Sequence, residues 1–72
     1  MKVNVIIEKD KYGYYAFCPE LKGCHSQGDS LDEVLENIKE AIQLYIETLS
    51  PTEREEYLSK EILTASLEVT VA

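Results

Sequence analysis

Apolar and polar residues alternate with two different periods along this 72-residue chain, and the change of period marks out its architecture. Over residues 2–9, Val3, Val5 and Ile7 fall on one side and Asn4, Ile6 and Glu8 on the other, the two-residue period of a β-strand. Asp10-Lys11-Tyr12-Gly13 is a polar turn ending in glycine, so a hairpin is expected there. Residues 14–18 read as a second strand, with Tyr14, Ala16 and Cys18 opposing Tyr15 and Phe17. Residues 24–27, entered through Gly23 and left through Gly28, make a short third.

The period then lengthens. From residue 30 to residue 49, Leu31, Val34, Leu35, Ile38, Ile42, Tyr45, Ile46 and Leu49 recur at three- and four-residue spacings, the stripe of an amphipathic helix. Asp32, Glu33, Glu36, Lys39, Glu40, Gln43 and Glu47 take its outer side. Ser30 with Glu33 reads as a capping box, and Ser50-Pro51-Thr52-Glu53 as a second one with proline at the first helical position. A short helix over residues 51–59 follows, with Tyr57 and Leu58 as its apolar members. Residues 66–71 return to period two, Leu67, Val69 and Val71 alternating with Ser66, Glu68 and Thr70, which predicts a last strand.

Pro19 suits a strand end because it cannot donate to a ladder, and Gly23 and Gly28 admit backbone angles closed to other residues. The predicted order is β-β-β-α-α-β, an α+β domain spanning residues 1–72. The helical stripe has one place to be buried, a face of the sheet. A final strand returning through the helical crossover can lie parallel beside the first.

Size and charge narrow the function. A chain near this length buries only about 60% of the surface its unfolded form exposes, so it gains from self-association, and a homodimer or higher homo-oligomer is expected. The net charge is −7, distributed as +1 over residues 1–28, −5 over 29–49 and −3 over 50–72. An acidic domain has no counterion-release advantage on nucleic acid and attracts basic proteins instead. No apolar run reaches the 18 or so residues of a membrane span, and the N-terminus carries charges where a signal peptide needs its apolar core. A cytoplasmic protein with Cys18 and Cys24 as free thiols is expected.

One ordered set of motifs is specific. An aromatic strand runs into Cys18-Pro19-Glu20-Leu21, then Gly23-Cys24, then Ser26-Gln27-Gly28-Asp29-Ser30-Leu31, then Glu33 and Glu40-Ala41. Each piece alone is weak, but in this order and spacing they resemble the HicB-like antitoxin family, over residues 5 to about 49. The resemblance implies a partial ribonuclease H-like fold, no catalysis and no cofactor. It implies binding to a small HicA toxin, an mRNA-cleaving ribonuclease, within a toxin–antitoxin system. Many members carry a further C-terminal DNA-binding domain. This sequence stops at Ala72, so direct operator binding is not expected of it, and Lys22 stands where the family often has proline.

Sharper chemistry competes poorly for the same residues. Cys18, Cys24 and His25 lack the second ligand pair that a structural zinc site needs. Cys24 and His25 are adjacent on a strand and point to opposite faces, which defeats a nucleophile–base pair. A two-magnesium nuclease needs carboxylates on strand ends, where only Glu8 is offered. Tyr12, Tyr14, Tyr15 and Phe17 lack the basic groove of a single-stranded nucleic-acid platform, and suit the core or a protein interface. The acidic stripe Asp32, Glu33, Glu36, Glu40 and Glu47 is the candidate toxin-facing surface, against the plainer reading of a solvated helix face. The competing function is an orphan self-associating structural or regulatory module with no toxin partner.

Overall fold

A three-stranded antiparallel meander forms the first half of the chain, in the order β1-β2-β3. The computed structural model describes residues 1–71. β1 spans Ile6–Asp10, β2 Gly13–Phe17 and β3 His25–Gly28. Asp10 pairs with Gly13 across the two-residue turn, and the ladder runs back to Ile6 opposite Phe17. β1 therefore starts four residues later than alternation alone predicts. The chain turns away after Phe17, so residues 2–5 have no strand beside them to pair with.

α1 (Leu31–Glu47) lies against this sheet, contacting β2 and β3, and α2 (Pro51–Leu58) follows. Register decides which face the helix covers. Ala16 is fully buried beneath α1 with Val34, Ile38 and Ile42, while its neighbours Tyr15 and Phe17 point the other way. Burying each of the three helix side chains contributes about 1.5–3 kcal/mol. Val3, Val5 and Tyr14 pack around the rim of this core.

The helix ends follow the capping residues, with one difference. Ser30 accepts a hydrogen bond from the Glu33 backbone N–H at 3.1 Å, but the reciprocal bond of a capping box is absent from α1. At α2 the box is complete: the Ser50 N–H donates to Glu53 Oε1 at 2.9 Å and the Glu53 N–H donates to Ser50 Oγ at 3.1 Å. Thr48 then closes α1 by donating its hydroxyl to the Tyr45 carbonyl.

The predicted last strand does not form in the single chain. Residues 60–71 hold neither helix nor strand, and Leu67, Val69 and Val71 are 85%, 79% and 88% exposed. The alternation is there, but no edge of the sheet receives it, so the observed order is β-β-β-α-α. The radius of gyration, 14.3 Å, exceeds the roughly 11 Å typical of a chain this long, as an extended arm requires.

Candidate protein-binding surface

Three surfaces bear on function: the loop between β2 and β3, the outer side of α1, and the sheet face turned away from α1. The loop contains the Cys-Pro-Glu-Leu motif, and its role is internal. Cys18 N–H donates to the Cys24 carbonyl, Leu21 N–H to the Cys18 carbonyl and Cys24 N–H to the Leu21 carbonyl, all at 3.0–3.1 Å. Cys18, Glu20, Leu21 and Cys24 are buried in this knot, with Pro19 half-buried. Gly23 supplies its one left-handed residue, at φ +82°. Tyr45 Oη on α1 donates to the Lys22 carbonyl at 3.0 Å, clamping the loop to the helix.

Glu20 is the residue whose role the sequence conceals. Only 3% exposed, it accepts at Oε2 from both the backbone and side-chain amides of Asn4, and at Oε1 from the Cys18 thiol. No buried side-chain polar atom among the described residues lacks a partner.

The thiols are held in reserve rather than activated. Burial pushes Cys18 above its ordinary pKa, outweighing backbone hydrogen bonds from Glu20 and Leu21 that pull it down, and the charge of Glu20 adds to the rise. Burial raises Cys24 likewise. Both are free, and a raised pKa disfavours the thiolate that nucleophilic chemistry or metal binding requires. His25 lies on the opposite sheet face, its ring 5.7 Å from that of Tyr15. Among the described residues, no three His, Cys, Asp or Glu side chains gather as a metal site.

Gly28 acts differently from expectation. Its backbone is not left-handed; it is needed for space, since a Cβ there would sit 2.7 Å from the Val34 nitrogen at the start of α1. Asp29 is exposed, and exposed Ser30 caps α1.

The acidic residues do converge. At 3.6 residues per turn, Asp32, Glu33, Glu36, Glu40 and Glu47 occupy an arc of about 100°, roughly opposite Val34, Ile38 and Ile42. All five are exposed. Leu44, 58% exposed, falls at the border of this arc, an apolar spot outside the helical stripe because it belongs to neither face cleanly. Glu8 pairs with Tyr15 and points away from α1, so it is separated from these acids by the sheet.

The sheet's outer face carries Ile6, Tyr15, Phe17 and His25, with the Tyr15 and Phe17 rings 6.0 Å apart. Among the described residues, no helix or strand covers it. Of the aromatics on the strands, Tyr14 turns inward to the core, where Tyr45 and Tyr57 of the helices also pack.

A helix laid over one face of a three-stranded meander, with an acidic back and a buried Cys-Pro-Glu-Leu knot, defines a small α+β domain. The chain belongs to the HicB-like antitoxin family of bacterial toxin–antitoxin systems, whose family model matches residues 3–69. Its relatives are widely spread. A UPF0150 protein of Helicobacter pylori is 49% identical over 72 residues, covering 100% of both chains. One from Synechocystis is 51% identical over 64 residues, with 82% of this chain and 81% of the relative covered. An Archaeoglobus fulgidus UPF0150 protein is 45% identical over 64 residues, covering 88% and 93%. No solved structure gives a significant match. Family membership points to an antitoxin role and away from catalysis. No helix among the described residues is long and apolar enough to cross a membrane.

Proposed function

We propose that this protein is a cytoplasmic antitoxin that binds and covers a small basic HicA-like mRNA ribonuclease, inhibiting it by steric masking without chemistry of its own. The observation that carries the reading is the one-sided acidic face of α1 on a chain of the antitoxin family. A nuclease that grips RNA presents basic side chains, and Asp32, Glu33, Glu36, Glu40 and Glu47 offer them a competing array of carboxylates. Leu44 at the edge of that array supplies the apolar contact that pure charge pairing lacks. The sheet and α1 are taken as a partial ribonuclease H-like fold, with residues 1–72 acting as one unit that self-associates and does not bind nucleic acid directly.

Co-expression with the neighbouring reading frame tests this. A small basic protein that is toxic alone, is neutralised by this chain and co-purifies with it is the expected result. Glu36→Lys with Glu40→Lys should weaken that complex while leaving the fold intact. If no neighbouring product binds or is neutralised, the antitoxin reading fails. The orphan-module reading, which the unpaired C-terminal arm favours, then takes its place.

A further inference from the structure

Two parts of this chain carry complementary unmet needs. The first is an open apolar groove of about 820 Å³ between the N-terminal segment and α1, lined by Val3, Val5, Leu35, Ile38 and Ile42 among others. It runs beside the segment that leads into β1, on the side away from β2, the one strand with which β1 pairs. The second is the arm over residues 66–71, which alternates like a strand yet leaves Leu67, Val69 and Val71 in solvent. Among the described residues, no backbone hydrogen bond outside the helices and strands involves Val3, Val5 or residues 60–71.

We infer that residues 66–71 of a second copy add as a strand along the free edge at residues 3–7, seating Leu67, Val69 and Val71 in the groove against α1. Backbone direction supports this edge. The Asn4 amide is committed to Glu20 on the β2 side. Strand alternation then turns the amides of Val3 and Val5 outward, where an incoming strand meets them. Side-chain parity agrees, because Val3, Val5 and Ile7 share the face that looks towards α1, as Ile7 opposite buried Ala16 shows. The other edge is a poorer acceptor: β3 is polar, His-Ser-Gln-Gly, and Asn37 Nδ2 already donates to the Gln27 carbonyl at 2.9 Å.

Family extent and charge fit as well. The family match reaches residue 69, so most of the arm belongs to the shared domain although its Leu67 and Val69 side chains stand in solvent. By strand parity its one charged residue, Glu68, takes the face opposite Leu67 and Val69, so no charge of the arm enters the groove, which Lys39, Glu40 and Glu47 border. Exchanged arms give a two-fold contact, each copy lending a strand and receiving one. This dimer does not depend on the toxin-binding reading, and the groove and the acidic face share only the border residues Glu40, Leu44 and Glu47.

The experiment is light scattering on the full chain over a concentration series into the high micromolar range, with two variants that damage the two halves separately. The wild type should run at twice the monomer mass. Leu67→Asp with Val69→Asp removes the arm's fit, and Leu35→Asp, at a position 41% exposed, spoils the groove. Each should be monomeric with an unchanged helical circular dichroism signal, and mixing the two in equal parts should restore a dimer through one intact arm–groove contact. A wild type that stays monomeric, a dimer that survives the arm variant, or a mixture of folded variants that does not recombine overturns the inference. Should Leu35→Asp unfold, isotope-filtered NMR on mixed labelled and unlabelled wild type decides instead. Cross-peaks between Val69 of one copy and Val5 or Ile42 of the other are required; only intrachain cross-peaks, or none, refute it.

Discussion

Asn4 and Glu20, sixteen residues apart, are joined through a single oxygen: the backbone N–H and the side-chain amide of Asn4 both donate to Glu20 Oε2, each at 3.0 Å. The contact fastens the N-terminal segment to the β2–β3 loop where the sheet ladder has already ended. It holds Val3 and Val5 over α1 without a strand partner. Glu20→Ala should cost about 1–2 kcal/mol, because two donors and the Cys18 thiol lose their acceptor together. Glu20→Gln keeps one acceptor oxygen and should cost less. Urea unfolding followed by circular dichroism ranks the two; equal midpoints for Ala and wild type would show the contact to be energetically idle.

Gly23 in the β2–β3 loop and Gly28 at the end of β3 should respond to alanine for different reasons. At Gly23 nothing lies within 4 Å of an added Cβ, so Gly23→Ala suffers only the left-handed backbone, about 1–2 kcal/mol. At Gly28 the added carbon meets the backbone nitrogen of Val34 at 2.7 Å and Glu33 Cγ at 3.1 Å. α1 must shift off the sheet, and the cost belongs to the overpacking range of about 1–3 kcal/mol or more. The distinguishing readout is structural: Gly28→Ala should move the amide resonances of the first turn of α1, and Gly23→Ala should not.

Period and punctuation make three strands and two helices legible in the sequence, because those signals are local. Ser30, Ser50 and Pro51 stand where the helices begin. Pairing is not local, and there the sequence reading ran out. Residues 2–5 alternate as a strand should, yet their ladder depends on where β2 turns away. Residues 66–71 alternate just as well, but alternation names a face and not the edge that will receive it. The shared side of the five acids followed directly from helical spacing. The burial of Glu20 did not, since its acceptor role depends on Asn4, sixteen residues away. Its only signal was a position inside an otherwise apolar motif. Leu44 was missed because it lies off the core stripe, and exposure alone reveals it.

Burial of the thiols makes stability fall at alkaline pH. Cys18 and Cys24 titrate above their ordinary value of 9.0 in the folded chain, so the unfolded chain loses these protons first. Their contribution is fully present below pH 9.0 and is lost as pH rises through the folded-state values. Urea midpoints measured from neutral pH upward should decline above pH 9.0, and less steeply in a variant carrying Cys18→Ala and Cys24→Ala. The two proteins differ in no other ionisable group, so the difference isolates the thiols. Alkylation by iodoacetamide should be slow in the native chain and fast once it is unfolded.

Removing the two serine caps should separate global from local stability. Ser30 opens the helix that carries Val34, Ile38 and Ile42 into the core, so a loss at this cap is felt by the whole fold. Ser30→Ala should lower the unfolding free energy by about 1 kcal/mol. Ser50 has the fuller set of hydrogen bonds, yet α2 buries no residue completely, so the helix can fray while the sheet and α1 stay folded. Ser50→Ala should leave the urea midpoint nearly unchanged and accelerate hydrogen exchange at the amides of Glu53 and Arg54, which donate to Ser50. Acid should act on the same end. Hydrogen bonding from the Ser50 backbone, with the Ser50 side chain adding to it, holds Glu53 below its ordinary value of 4.5. Its capping contribution is therefore present above that value and fades as pH falls through the lower folded-state one. In the wild type, α2 amides should lose protection in acid before those of α1. Simultaneous loss at both helices would mean that α2 is locked to the core more firmly than its burial implies.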